Sequence, residues 1–166
     1  MNDKLLFHAP ETFKKKIDIL SPVTGQLIAL SELDDKLLNA GVFGPGAAVM
    51  TNSNTIVSPF DGTVTKVTPL DYAVELQSTA GLKCRIKYGN NTHHLHSAQF
   101  QCSLHQGDRI STKQALFTVN ASWLKQQNVN NHCIMTVLNA TALLGVLPTV
   151  RKYVEAGEDP LFSLYI

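Results

Sequence analysis

Residues 21–27 read SPVTGQL and residues 58–64 read SPFDGTV. Each stretch opens with Ser-Pro, reaches a glycine three residues after the proline, and runs on into residues that alternate in polarity. Proline presets the backbone for a turn, glycine permits a tight exit from it, and alternation with a period of two marks a half-buried strand. The same local structure is therefore expected twice, as a duplicated β unit. Further along, HQGDRISTKQALFTVN (residues 105–120) and EAGEDPLFSLYI (residues 155–166) each place a glycine turn a few residues ahead of an alternating run. Strands thus recur to the end of the chain.

Helical signals are few. SELDDKLLNAG (residues 31–41) offers Ser31 as an N-cap, Asp34 near the helix start, Leu33, Leu37 and Leu38 on one face, and Gly41 as the stop. NASWLKQQN (residues 120–128) offers an asparagine cap and places Trp123 and Leu124 on its inner side. Neither is long enough to organise a helical domain. The fold class expected is all-β: a compact antiparallel β-sandwich or barrel with one or two short helices.

The 166 residues, 44% of them apolar, suit one domain with a single buried core. Charged residues make up 16%, against about 25% in an average soluble protein, so the core is large or part of the surface is apolar enough to meet a partner. A formal charge of +1, with no basic stripe interleaved with aromatics, argues against nucleic acid as a partner. Cys84, Cys102 and Cys133 are odd in number and lack CxxC spacing, which fits reduced thiols rather than a disulfide framework or a zinc knuckle. No signal peptide is visible at the start, and the most apolar run, residues 133–150, is broken by Asn139, Gly145 and Pro148, so no transmembrane segment and a cytoplasmic location are expected. Residues 1–16 read as a flexible N-terminal tail ahead of a domain at residues 17–166. Leu5, Leu6 and Phe7 with Lys14, Lys15 and Lys16 could touch anionic lipid, but Pro10 splits the segment, and a solvated tail is the expectation.

SPVTGQLIALSELDD, FGPGAAVMT, IVSPFDGTVTKV, STAGLKCRIKYGNNT, HQGDRISTKQALFTVN and VEAGEDPLFSLYI resemble, in order and spacing, the glucose-type IIA domain of the bacterial phosphoenolpyruvate-dependent sugar phosphotransferase system. The resemblance runs from about Ile17 to Ile166. It implies a β-sandwich of the duplicated hybrid motif type that receives a phosphoryl group from a histidine-containing carrier protein and passes it to a IIB domain. It also implies two facing histidines, one in a Thr-x-His-Ala segment and one, the phosphorylated one, before an apolar residue and a glycine at a strand end. By that register the first position is Tyr72, the second is Lys87, the neighbouring aspartate is Asn91, and the threonine is Leu70.

A phosphoryl carrier needs a lone pair near neutral pH, which neutral imidazole supplies. Lysine, with a reference pKa of about 10.4, and tyrosine, near 10, are both protonated there. The three positions Tyr72, Lys87 and Asn91 are therefore expected to be a degenerate active site with no catalytic residue, and the chain to be a binding or regulatory module of the sugar phosphotransferase network with no cofactor. Tyr72 and Lys87 on adjacent strands would suit an anion; alternatively Lys87 pairs with Asp71 or Glu75 at a solvated edge. The resemblance further implies an apolar partner-docking rim. Leu38, Val42 and Phe43 keep that character, while Thr68, Arg85 and His93 depart from it, so the protein partner is expected to differ from the family's.

The segment RIKYGNNTHHLH (residues 85–96) carries three histidines after the strand-like run. His93 or His94 is the local candidate for a displaced phosphoryl acceptor, the alternative to the degenerate reading. As a strand, the stretch would place His94 and His96 on one face, a weak metal candidate, because zinc takes three or four ligands. A zinc peptidase of the lysostaphin type needs an upstream His-x-x-x-Asp as well as the HxH pair, and no histidine here has aspartate four residues later. No metal is therefore assigned.

Overall fold

The computed structural model describes residues 4–166. Its strands are β1 (Lys16–Leu20), β2 (Gly25–Ile28), β3 (Gly46–Met50), β4 (Thr55–Val57), β5 (Gly62–Thr68), β6 (Ala73–Ser78), β7 (Lys83–Tyr88), β8 (Arg109–Ile110), β9 (Ala115–Thr118), β10 (His132–Val137), β11 (Gly145–Pro148), β12 (Tyr153–Val154) and β13 (Pro160–Tyr165). One sheet orders eight of them as β12-β2-β3-β10-β7-β6-β5-β8; β1-β13-β11 and β4-β9 form smaller sheets. Neighbouring strands pair antiparallel throughout, as in the all-β class expected.

The sequence repeat is a structural repeat. Ser21 Oγ donates to the Val23 carbonyl at 2.6 Å and Ser58 Oγ donates to the Phe60 carbonyl at 2.6 Å, so both Ser-Pro segments close the same side-chain turn. Each turn feeds a strand that begins on glycine, β2 at Gly25 and β5 at Gly62. A Cβ on Gly25 would lie 1.9 Å from the Met50 carbonyl oxygen, and one on Gly62 would lie 2.1 Å from that of Gln77. Backbone approaches that closely at both strand starts, and only glycine permits it.

The inner face of the large sheet carries the main core. Along β7, Cys84, Ile86 and Tyr88 are fully buried, and they meet Val74 and Leu76 of β6, Phe117 of β9 and Phe162 of β13 in one cluster. Burial pushes the thiols of Cys84 and Cys133 far up, so both stay protonated and behave as small apolar side chains. The outer face carries a smaller cluster, in which Leu30, Leu33 and Leu38 cover Ala48 of β3 and Ile134 of β10.

That cover is the first expected helix, placed slightly differently. A 3₁₀ turn spans Leu30–Glu32, and α1 (Lys36–Asn39) is capped by Asp35, whose carboxylate accepts from Leu38 N–H at 3.0 Å; Ser31 is not the cap. With only four residues, α1 cannot keep three leucines on one face. Leu38 turns inward at 2% exposure and Leu37 outward at 57%, so the docking-rim assignment of Leu38 is corrected: it is core, and Leu37 lies at the surface. The second helix, α2 (Ala121–Gln126), starts as expected, with Asn120 accepting from Trp123 N–H at 3.0 Å and Leu124 buried beneath. Asn120→Ala is expected to lower the unfolding free energy by about 1 kcal/mol. Equilibrium urea denaturation checks this, and an unchanged midpoint would show that the cap contributes nothing.

Residues 1–3 of the expected tail lie outside the described residues. Residues 4–16 are laid against the three-stranded sheet: Leu6 N–H donates to the Val146 carbonyl and Val146 N–H to the Lys4 carbonyl, both at 2.8 Å, beside a parallel bridge from Leu5 to Val146. Ile166 N–H donates to the Lys15 carbonyl at 2.9 Å, and the Phe13 ring meets Tyr165 edge-on at 4.8 Å. The physical reason is the open edge of β11, whose unpaired backbone groups accept a further strand-like segment. Among the described residues no helix is long and apolar enough to cross a membrane.

Candidate functional site

On β7 the side chains that alternate with the buried Cys84, Ile86 and Tyr88 are Arg85 and Lys87, which therefore share the outer face of the sheet. Ala73 of β6 stands opposite Lys87 and Glu75 opposite Arg85, while Ile134 of β10 flanks Lys87 on the other side. Both cations thus sit where the outer apolar cluster ends. They line an open depression of about 940 Å³ between the α1 segment and the turns that follow β5 and β7. Three carboxylates, Asp34, Asp35 and Asp71, and three cations, Lys36, Arg85 and Lys87, share its wall with His93 and His94.

Asp71 joins the groups of this depression to one another. It ends the 3₁₀ turn Pro69–Asp71, and Thr92, fully buried, ties the next turn to it by donating its hydroxyl to the Leu70 carbonyl at 2.8 Å. That second turn is 3₁₀ helix His93–Leu95, not a continuing strand, so His94 and His96 do not share a strand face. The clamp brings His93 Nε2 into a hydrogen bond with Asp71 Oδ1, while Arg85 Nη2 donates to Asp71 Oδ2 at 3.5 Å. Burial pulls the Asp71 carboxyl upward, but the His93 hydrogen bond and the charges of Lys87, Arg85 and His93 hold it below the usual carboxylate value. Asp71 is an ionised acceptor at neutral pH.

Arg85 lies with its guanidinium carbon 4.1 Å from the centre of the Phe43 ring, a cation–π contact, and its side chain is only 11% exposed. Desolvation lowers its pKa from the ordinary arginine value, against the pull of Asp71, Glu75 and Asp35. Lys87 is also lowered, first by burial and then by Arg85, and among the described residues no carboxylate lies within 4.0 Å of its ammonium nitrogen. The expected Lys87 pairing with Asp71 or Glu75 is therefore corrected: Asp71 is engaged by Arg85 and His93, and Glu75 faces Arg85 across the strands.

Tyr72 requires the larger correction. It follows the 3₁₀ turn in a left-handed conformation, φ 52°, which swings the ring off the outer face into the main core. It is 0% exposed, packs edge-on against Phe100 at 5.5 Å, and donates its hydroxyl to the Ala98 carbonyl. Burial raises its pKa. With its hydroxyl committed inside, Tyr72 cannot form an anion-binding pair with Lys87 on the outer face. Asn91, also left-handed at φ 54°, lines the depression and donates its N–H to the Asn90 side-chain oxygen at 3.0 Å.

Of the expected rim, Val42 is 60% exposed, Phe43 is half-buried beneath Arg85, Thr68 is half-buried at the end of β5, and His93 is exposed. Leu37 and Leu70, 57% and 45% exposed, add apolar surface near the same depression. Among the described residues no group of three or more His, Cys, Asp and Glu side chains is placed to hold a metal ion. From the sequence alone, Asp71 is legible only as a partner for Lys87. The available signal was Pro69, which predicts the turn that carries Asp71 to the open end of the β6–β7 hairpin.

Residues 17–143 match the family model for the phosphoenolpyruvate-dependent sugar phosphotransferase system, EIIA 1. A curated relative, the PTS system glucoside-specific EIICBA component of Staphylococcus carnosus (strain TM300), is 32% identical over 144 residues, covering 86% of this chain and 20% of that protein. The chain thus spans about a fifth of the length of that relative. Among solved structures, glucose permease IIA from Mycoplasma capricolum superposes with a TM-score of 0.73 at 22% identity over 90% of this chain and 96% of that one, a likeness of fold. On the extent of the family match and the identity to the curated relative, the chain belongs to the EIIA 1 family of the phosphoenolpyruvate-dependent sugar phosphotransferase system.

Proposed function

We propose that the chain works in the cytoplasm as a IIA-like binding and regulatory module of the sugar phosphotransferase system, without relaying phosphoryl groups through the positions the family uses. Tyr72 and Lys87 occupy those positions in this reading. The observation that supports it is the direction of Tyr72: its phenol is buried and bonded to Ala98, which leaves no facing pair on the outer strands. Lys87, an ammonium near neutral pH, has no lone pair with which to attack phosphorus.

What remains is a docking surface. Leu37, Val42 and Leu70 present exposed apolar side chains near a depression whose wall carries equal numbers of carboxylates and cations. A partner of this surface must answer both signs of charge, and that selects against proteins fitted to a purely apolar rim. The test is a reconstituted system of phosphoenolpyruvate, enzyme I, the histidine-containing carrier protein and a glucose-type IIB domain in its membrane component. Addition of this chain is expected to yield no sugar phosphate, while the carrier or the IIB domain perturbs the amide resonances of β7 and the α1 segment. Sugar phosphate formed in proportion to the chain added would overturn the reading.

A further inference from the structure

At the β12 edge of the large sheet, register sets a row of side chains on the outer face: Tyr153 of β12 stands opposite Gln26 of β2, Gln26 opposite Met50 of β3, and Met50 opposite His132 of β10. The residues that alternate with them, Val154, Val49 and Cys133, are buried in the main core. Tyr153, 61% exposed, and the exposed Met50 wall a hollow of about 450 Å³ with Gln26, Asn52, Ser53 and Asn131, and every residue lining it is uncharged. Burial lowers the pKa of the adjacent His132, so it too is neutral at neutral pH. Thr51 Oγ1 donates to the Thr24 carbonyl at 2.7 Å and accepts from Ser53 N–H at 3.0 Å, while Thr24 Oγ1 accepts from Ala156 N–H at 2.9 Å. These bonds fix the wall. The side chains of Gln26, Asn52, Ser53 and Asn131 hold no hydrogen bond among the described residues. The duplication supplies a comparison, because the repeat carries Thr24, Gly25 and Gln26 onto Asp61, Gly62 and Thr63, where a hollow of about 590 Å³ also opens. That one is charged: Asp61 and Arg109 line it, and Asp61 accepts from the N–H and hydroxyl of Thr112 at 2.7 and 3.0 Å. The fold makes a hollow beside each strand-opening glycine, and the first of them joins an uncharged lining to an exposed aromatic ring and uncommitted amides.

We propose that this hollow binds a neutral hexopyranoside, with Tyr153 as the platform beneath the sugar ring and Gln26, Asn52 and Asn131 as the groups that bond its hydroxyls. An ion entering here would shed water and meet no counter-charge, so the lining selects an uncharged ligand. Each amide carries both a donating NH2 and an accepting oxygen, and each sugar hydroxyl likewise donates and accepts, so several amides match a run of neighbouring hydroxyls where a purely anionic or cationic wall would not. A pyranose whose hydroxyls are equatorial turns its axial C–H bonds outward above and below the ring, and those weakly positive hydrogens suit the negative face of a phenol ring. Tyrosine has two χ angles, so holding it under a ligand costs little conformational entropy, and the flexible Met50 side chain can close against the edge of the sugar. Free polar groups around one aromatic surface are the arrangement of a small-molecule site, and the hollow falls within the usual size of one, about 300–1,000 Å³. The assignment stands apart from the docking reading, because none of these residues lines the β7 depression.

The test is a titration of the isotope-labelled full chain with methyl β-D-glucopyranoside, whose ring substituents are all equatorial, followed by the backbone and side-chain amide resonances. Saturable shifts are expected at Gln26, Met50, Asn52 and Asn131, with none at Gly62, Thr63 and Gln77 of the matching hollow. Tyr153→Ala is expected to weaken binding at least ~10-fold, and Tyr153→Phe, which keeps the ring, to stay within ~3-fold of the parent. The exposure of Tyr153 favours folding of both variants, and their urea midpoints check it. D-mannitol, which offers similar hydroxyls but no ring face, is expected to leave the resonances unmoved. The absence of saturable shifts overturns the proposal, and so do an equal response to mannitol, equal shifts in the matching hollow, or undiminished binding by a folded Tyr153→Ala. Shifts that follow the concentration of the chain instead of the glycoside would show that this face joins two copies, which overturns it as well.

Discussion

Tyr72→Ala is expected to lower the unfolding free energy by about 3–5 kcal/mol, the cost of deleting a large aromatic side chain from a close-packed core. The ring is fully buried, touches Phe100, and belongs to the same cluster as Val74, Ile86 and Phe117. Truncation leaves a cavity and also strands the Ala98 carbonyl, which accepts from the Tyr72 hydroxyl. Tyr72→Phe isolates that second effect, because the ring volume stays while a buried acceptor loses its partner, at about 1–3 kcal/mol. Urea denaturation of the three proteins measures both steps. A Tyr72→Ala midpoint close to that of the parent would mean that the side chain faces the depression, which would reinstate Tyr72 and Lys87 as an outward pair.

The fold was legible because its determinants are local. Ser21 and Ser58 each close a turn with a residue two positions on, and Gly25 and Gly62 each begin a strand that passes close to a neighbour's backbone; such features repeat in sequence because they repeat in geometry. The site was half legible. Alternation along β7 places Arg85 and Lys87 together without any knowledge of the partners. The direction of Tyr72 was hidden, because it depends on a left-handed backbone step just before β6, and a bulky residue seldom takes φ near 52°. Leu37 and Leu38 were misassigned for a related reason: a four-residue helix is too short for helical periodicity to fix which leucine faces the core. The Asp71–His93 contact was beyond reach because two irregular turns joined by Thr92 make it, and irregular turns carry no period.

Arg85→Ala is expected to be the most disruptive change within the depression, lowering stability by about 2 kcal/mol. That is less than the loss for breaking a fully buried ion pair, because Asp71 remains partly solvated at 26% exposure. Two contacts disappear at once, the stacking on Phe43 and the bond to Asp71. The acid limb of the stability curve should move with it. Asp71 is held below its ordinary value in the folded chain, so its contribution is present above the unfolded carboxylate value of 3.8 and is lost as pH falls through the folded value. Removing Arg85 takes away one of the charges that lower Asp71, so acid unfolding should begin at a higher pH in Arg85→Ala than in the parent; an unshifted acid limb would show that Arg85 does not hold the carboxylate. Arg85→Met then separates packing from charge. Its unbranched chain can refill the space over Phe43 and should recover most of the stability. Whatever stability it still lacks is owed to the missing charge beside Asp71.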